Sequence, residues 1–285
     1  TSKLRDLKKR NAAAVLIINP PESLDPRANR LTDPNRTGES IFDGPVVQVT
    51  MEAGERLLAD LSGTDQPLLT WRQRADEGRV FEELPQPVTV SAKIQQERLF
   101  GENVGAFLKG SGALADEVIV MGAHLDHLGM GYFGSRSGPG ELHPGADDNA
   151  SGCAAVLMLA ERLAKDYAAM PASTARRSLL FVGFSGEESG LNGARYYANH
   201  PITDIEKHAV MFNFDMIGRI TNGRLSVSGL GSAEGLTELA KPLFDRSPLN
   251  VVASKNVMPN SDHYEFYKKR VPVLFAIIAD FHPGY

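Results

Sequence analysis

The sequence predicts an α/β fold: a three-layer sandwich around a mostly parallel, mixed central sheet, preceded by a smaller N-terminal segment. Two observations carry that expectation. Four continuous apolar runs, residues 118–121, 178–184, 209–214 and 273–278, have the length and composition of strands covered on both faces. Helical patterns lie between them, and strands alternating with helices imply parallel pairing with helices on the sheet's faces.

Taken in order, residues 3–10 are basic and polar and 12–18 apolar, which reads as a short helix running into a strand. Residues 19–44 are rich in Pro, Asp, Asn, Arg and Gly and read as a long loop. Residues 46–49 (VVQV) form a short strand and 52–61 a helix. Residues 62–87 have weak periodicity and several turn formers, so a domain boundary is expected there. From 88 to 94 apolar and polar residues alternate, as in a half-exposed strand, and 103–108 is expected to pair with it. Residues 151–165 set Val156, Leu159, Ala160 and Leu163 on one helical stripe. Shorter helices are expected over 193–199 and 233–245, with Pro242 kinking or starting part of the latter. There is no internal repeat and no low-complexity tract.

Composition narrows the function classes. The chain has 285 residues, 42% hydrophobic and 23% charged, ordinary for a globular protein with a sizeable core. Its net charge of −5 provides no cationic face for phosphates, which argues against nucleic acid as a partner. No apolar run reaches the roughly 18–20 residues of a membrane span. The longest, 271–279, is interrupted by Pro272 and reads as a buried strand. The single cysteine, Cys153, sits in an apolar helix and reads as packing; it has no intrachain disulfide partner, which suits the cytosol as well as a periplasm or exterior. Residues 1–4 (TSKL) lack the apolar core of a signal peptide.

The residues just beyond each core strand carry the chemistry. After 118–121 comes GAHLDH, after 178–184 SGEESG, after 209–214 DMIG, and after 273–278 ADFHPGY. Open α/β sheets bind ligands at the carboxyl ends of their strands, so these ends converge on one acidic, histidine-bearing pocket. Carboxylates gathered there repel one another, and the nearest basic residue to the motifs is Arg219. One or two divalent cations would supply the missing charge. Histidine and carboxylate donors without a thiolate suit zinc. In the turn HPGADDNASG, residues 143–152, two acids stand side by side. Asp147 is expected to bridge two ions, with Asp148 fixing its geometry.

Each candidate has a plainer reading. His124 could be a hydrogen-bonded core histidine, Glu187 and Glu188 a solvated turn, and Asp215 a simple strand-terminal acid. Asp147 and Asp148 could cap the following helix, a role open to Asn149 as well. Convergence on strand ends favours the metal reading for all of them. His127 is expected at the rim or in a structural role. Ser261-Asp262-His263 cannot form a nucleophilic triad, because consecutive side chains diverge; the stretch is expected to be a pocket loop.

Together, GAHLDHLG (122–129), GADDNASG (145–152), GEESGLNGARYY (186–197), FDMIGR (214–219) and SDHYEF (261–266) resemble, in that order, the M28 family of co-catalytic di-zinc aminopeptidases. The resemblance covers residues 88–285. Residues 1–75 more loosely resemble part of a protease-associated domain, through KKRNAAAVLIIN (8–19) and PVVQVTMEAGERLLA (45–59).

The resemblance implies two Zn2+ ions. His124, Asp147, Glu188 and Asp215 would be ligands, with Asp147 the bridge. Glu187 would be the general base, Asp126 the carboxylate orienting His124, and Tyr285 a hydrogen-bond donor to the oxyanion. The family's late motif reads His-x-Asp-Tyr-His, and FHPGY (281–285) matches it as far as the tyrosine. The fifth ligand is therefore expected to be the residue after Tyr285, with His282 as the alternative. The implied activity is hydrolysis of N-terminal peptide bonds, on peptide or protein N-termini, in a secreted or periplasmic setting. Carboxypeptidase, dipeptidase or glutaminyl-cyclase-like action on the same scaffold is the alternative, as is a non-catalytic binding homologue. A carboxypeptidase needs a cation for the substrate carboxylate, and the acids and histidines at the strand ends have no basic residue among them, Arg219 being the nearest.

Overall fold

The structure is a computed structural model of the chain and describes residues 2–24, 31, 42–78, 83–93, 99–132, 134–135 and 139–280. The chain divides into two compact units, Thr1–Arg98 and Leu99–Tyr285.

In the first unit α1 (Ser2–Lys9) leads into β1 (Val15–Ile18), which pairs in parallel with β2 (Val46–Val49). Helix α2 (Met51–Ser62) starts where Thr50 Oγ1 accepts the Ala53 amide, and it stops at Gly63 in the left-handed region. Helix α3 (Leu68–Asp76) buries Leu68 and Trp71. It lies inside the 62–87 stretch where weak periodicity suggests a domain boundary, since nine residues give too few turns for a clear stripe.

The second unit is built on a seven-stranded mixed sheet in the order β3-β5-β4-β6-β9-β7-β8. Its strands are β3 (Val104–Leu108), β4 (Val118–His124), β5 (Ser178–Phe184), β6 (His208–Phe214), β7 (Arg224–Ser228), β8 (Asn250–Ala253) and β9 (Val273–Ile278). The central strands β5, β4, β6 and β9 run parallel, and β3 and β7 are antiparallel to their neighbours β5 and β9. The α/β class and the three layers are as the sequence predicts. Residues 88–93 form no strand, and Ile94 lies outside the described residues. β3 takes β5 as its partner instead, Val104 facing Gly183. The short strands β7 and β8 have no counterpart in the sequence pattern, because turn residues flank each.

Alternation along the strands builds two cores. Val118, Val120, Leu180, Val182, Phe184, Met211 and Val273 face Ala194 and Tyr197 of α5 (Asn192–Asn199) and Phe266 of α7 (His263–Lys268). Met121, Ala123, Leu179 and Phe181 face Val156 of α4 (Gly152–Ala169), backed by Leu159 and Leu163 of the predicted stripe. Further along that face α6 (Leu236–Phe244) packs Ala240 against Val227 and Leu274, with Pro242 inside the helix. Burying such side chains stabilises by roughly 1.5–3 kcal/mol each. Among the described residues no helix is long and apolar enough to cross a membrane.

Because the central strands are parallel, their carboxyl ends share one edge. His124 ends β4, Asp215 follows β6, and Glu187 and Glu188 follow β5. Helix α7 begins at His263, so the SDHYEF stretch, expected to be a loop, includes a helix too short to announce itself by periodicity.

Candidate metal centre

His124 occupies the last position of β4 with its ring fully buried, and its Nε2 lies 3.1 Å from Asp148 Oδ1 and 3.3 Å from Asp215 Oδ1. His127 Nδ1 lies 2.7 Å from Glu188 Oε1 and 3.7 Å from Asp148 Oδ2. His124, Asp148 and Asp215 thus form one group of donors and His127, Asp148 and Glu188 another, each set of ligand atoms within 4.8 Å. The two oxygens of Asp148 face different groups, which is what a bridging carboxylate requires.

The residue brought between the groups is Asp148, not Asp147. Asp147 Oδ1 accepts the backbone amides of Gly218 at 2.7 Å and Arg219 at 3.2 Å. Its carboxylate holds the loop after β6 and joins neither donor group. Adjacent acids in a turn point apart, and here the second one faces inward. The 146–151 turn departs from helical geometry at Asp148 and Asn149, and the peptide between them is cis.

That turn is laced to the segment after β6. Asn149 Nδ2 donates to the Phe214 carbonyl at 2.9 Å, and Asn149 Oδ1 accepts the Gly152 and Met216 amides at 3.0 and 3.3 Å. Asn149 therefore caps the start of α4, the role left open to it by sequence. Ser151 Oγ accepts the Ile217 amide at 3.0 Å and donates to the Asp147 carbonyl at 2.6 Å. Gly152 is required, since a Cβ there would sit 2.3 Å from Asn149 Oδ1 and 2.4 Å from the Phe214 carbonyl oxygen.

Asp126 departs from its expected part. Its carboxylate accepts the amides of Glu187 at 3.0 Å and Glu188 at 3.2 Å, while Oδ1 is 3.9 Å from His124 Nδ1. The imidazole is instead met by the Asp126 main-chain carbonyl, 3.0 Å from Nδ1. Asn103 braces the same turn, accepting the Ser185 amide and donating to the Gly193 carbonyl. His127, expected at the rim, stands inside the second group; as the third residue past a strand end, it has no pattern to mark it. Tyr285 and His282 lie outside the described residues.

The charges are those of an acidic crowd. Burial raises the Glu187 carboxyl to about 9; His124 opposes this, and Asp262 and Asp215 add to it. Burial, with the Asp148 charge, raises Glu188. Burial raises Asp262 to about 8, against His124 and with Asp215. Burial alone would lower His124, yet Asp148 and Asp215 against its ring push it up to about 12. Asp148 Oδ1 and Asp215 Oδ1 are buried and accept no hydrogen bond, as are both oxygens of Asp262. Buried carboxylate oxygens without donors are costly. A dication between His124, Asp148 and Asp215 would satisfy the first two, so the donors fit a zinc ion.

The comparisons identify the family and the fold. The model of peptidase family M28 matches residues 103–285. A probable leucine aminopeptidase of Arthroderma otae is 28% identical over 178 residues, 61% of this chain and 45% of that protein. An aminopeptidase of Pseudomonas aeruginosa is 35% identical over 122 residues, 42% of this chain and 19% of that protein. The chain thus spans less than half the length of these relatives. Among solved structures, the aminopeptidase from Aneurinibacillus sp. strain AM-1 superposes with a TM-score of 0.59 at 24% identity, over 99% of this chain and 58% of that one. A zinc aminopeptidase from Bacillus subtilis gives 0.50 at 22% identity, over 64% of this chain and 42% of that one. At these identities the likeness is one of fold.

Proposed function

This chain belongs to peptidase family M28, and from that membership we propose that it is the hydrolytic part of a di-zinc aminopeptidase acting on free peptide or protein N-termini. The observation that carries the reading is Asp148, whose two oxygens face separate donor groups. His124, Asp148 and Asp215 would hold one ion. Asp148, Glu188 and, among the described residues, His127 would hold the other. Two bound zinc ions would polarise the scissile carbonyl and bring the acidity of a water toward neutrality. Asp147, expected to bridge, is given a loop-holding part instead.

Glu187 is the proton carrier in this reading. Its half-buried carboxyl follows the same strand end as Glu188, beside the donor groups. It takes a proton from the attacking water at Oε and hands it to the leaving amine. Asp126 holds the Glu187–Glu188 backbone, so that the base and the adjacent ligand keep a fixed spacing. The acidic edge suits the substrate's α-ammonium group better than a carboxylate. Tyr285 keeps the part the resemblance implies, donating its phenol to the oxyanion. The protease-associated character of residues 1–75 and an extracytoplasmic setting belong to the same reading.

Hydrolysis of aminoacyl-p-nitroanilides, compared with their N-acetylated forms, tests this directly, with zinc measured by mass spectrometry on the same sample. About two zinc ions per chain, with cleavage confined to the free-amine substrates, is the expected result. Equal cleavage of the blocked forms, or zinc well below one per chain, would overturn it.

A further inference from the structure

We infer that Asn213 and Ser261 form a positioning relay that fixes Asp215 for its metal, an inference that rests on the zinc reading above. Asn213 and Asp215 lie two residues apart at the end of β6, so both side chains leave the extended backbone on one face. Ser261, just before α7, joins them. Asn213 Nδ2 donates to Ser261 Oγ at 2.8 Å, and Ser261 Oγ donates to Asp215 Oδ2 at 2.8 Å. All three residues are buried, Ser261 completely.

Chemistry sets the direction of this chain. An ionised carboxylate only accepts, so the serine hydroxyl gives its one proton to Asp215 and takes the asparagine N–H on a lone pair. A hydroxyl held at both ends loses its rotational freedom, and each bond polarises the next. The consequence appears at the other oxygen. With Oδ2 tied back, Oδ1 is turned toward His124 Nε2, 3.3 Å away, within the first donor group. Oδ1 accepts no hydrogen bond of its own and stays available to a cation.

Packing alone does not call for this asparagine. Its Oδ1 is buried without a partner, and its strand neighbour Met211 belongs to the apolar core. An apolar residue would remove that cost. The donor directed at Ser261 is what Asn213 provides.

Zinc titration of the metal-free chain against a chromogenic chelator tests the relay. Cobalt-substituted protein gives a spectroscopic readout independent of turnover, and the thermal midpoint of the metal-free form reports on folding. Ser261→Ala is expected to weaken one zinc by roughly 10- to 100-fold. It should also shift the visible cobalt bands and leave the metal-free midpoint close to wild type. Asn213→Leu should weaken the same zinc, yet add nothing in the Ser261→Ala background, because it acts only through the serine. If Ser261→Ala does not fold, Asn213→Leu with the cobalt spectrum carries the test alone. Unchanged zinc affinity and spectrum in the folded variants, or independent additive effects of the two substitutions, would overturn the relay. Wild-type chain that takes up no zinc overturns the zinc reading along with it, and that result is distinct from wild type binding zinc no more tightly than Ser261→Ala.

Discussion

The Glu187 backbone amide donates to Asp126 Oδ1 at 3.0 Å, so the base proposed for catalysis is held through its main chain by the acid two residues past His124. The other oxygen of the same carboxylate takes the next amide. Asp126→Asn leaves one acceptor oxygen and turns an NH2 toward the second amide. Hydrogen bonds to a charged group contribute about 1.5–3 kcal/mol each. A loss of about 2 kcal/mol in chemical denaturation is expected, with kcat falling more than KM rises. An unchanged kcat would mean that the clamp does not position Glu187.

Asp148 and Asp147 separate cleanly by substitution. Asp148→Asn should weaken zinc at both groups, since both use its carboxylate; at least a 100-fold loss in chelator competition is expected. Asp147→Asn keeps an oxygen for the Gly218 and Arg219 amides and should bind zinc within a few-fold of wild type. The reverse ranking would return the bridge to Asp147.

Glu187→Gln removes the proton carrier while preserving shape. Because general acid–base catalysis contributes typically 10²–10⁴-fold, kcat should drop by about that factor with both zinc ions retained. Near-full activity in that variant would exclude Glu187 as the base.

His263 provides a pH signature of stability away from the donor groups. Its ring stacks on Phe275 with centroids 4.4 Å apart. Burial lowers its pKa from 6.5 to about 4, with the Met258 backbone opposing. A histidine depressed in the folded state binds fewer protons folded than unfolded. Its contribution is therefore full above about pH 6.5 and is lost as pH falls toward about 4. The loss is at most about 3 kcal/mol. His263→Phe keeps the ring and should flatten the decline in thermal midpoint between those pH values, measured on metal-free protein. A variant as acid-sensitive as wild type would place the titrating group elsewhere.

The strand ends are legible because fully buried strands read as unbroken apolar runs, and the first polar residues after them mark the edge. That alone brings out His124, Glu187, Glu188 and Asp215 as a group, and their separate parts as ligand or base come from the M28 resemblance. By sequence Asp147 is the expected bridge, whereas in the structure Asp148 stands between the two donor groups, because pattern cannot say which of two neighbouring acids a turn points inward. The answer depends on the amides of Gly218 and Arg219, some 70 residues on. His127 stands in coil three residues past β4, and its place in GAHLDHLG does not tell a ligand from a rim residue. Residues 88–93 alternate like a strand but do not form one, since alternation specifies a face and no partner. β7 and β8, of five and four residues, are too short to be read against flanking turns.

The stitching of the 146–151 turn to the segment after Phe214 has an evolutionary corollary. Side chains of Asp147, Asn149 and Ser151 each receive amides from residues 216–219, so neither stretch can change length without throwing the other out of step. Insertions and deletions among descendants of this chain should fall elsewhere, on the outer strands. These two short spans should behave as a single gauge block for the distance between Asp148 and Asp215.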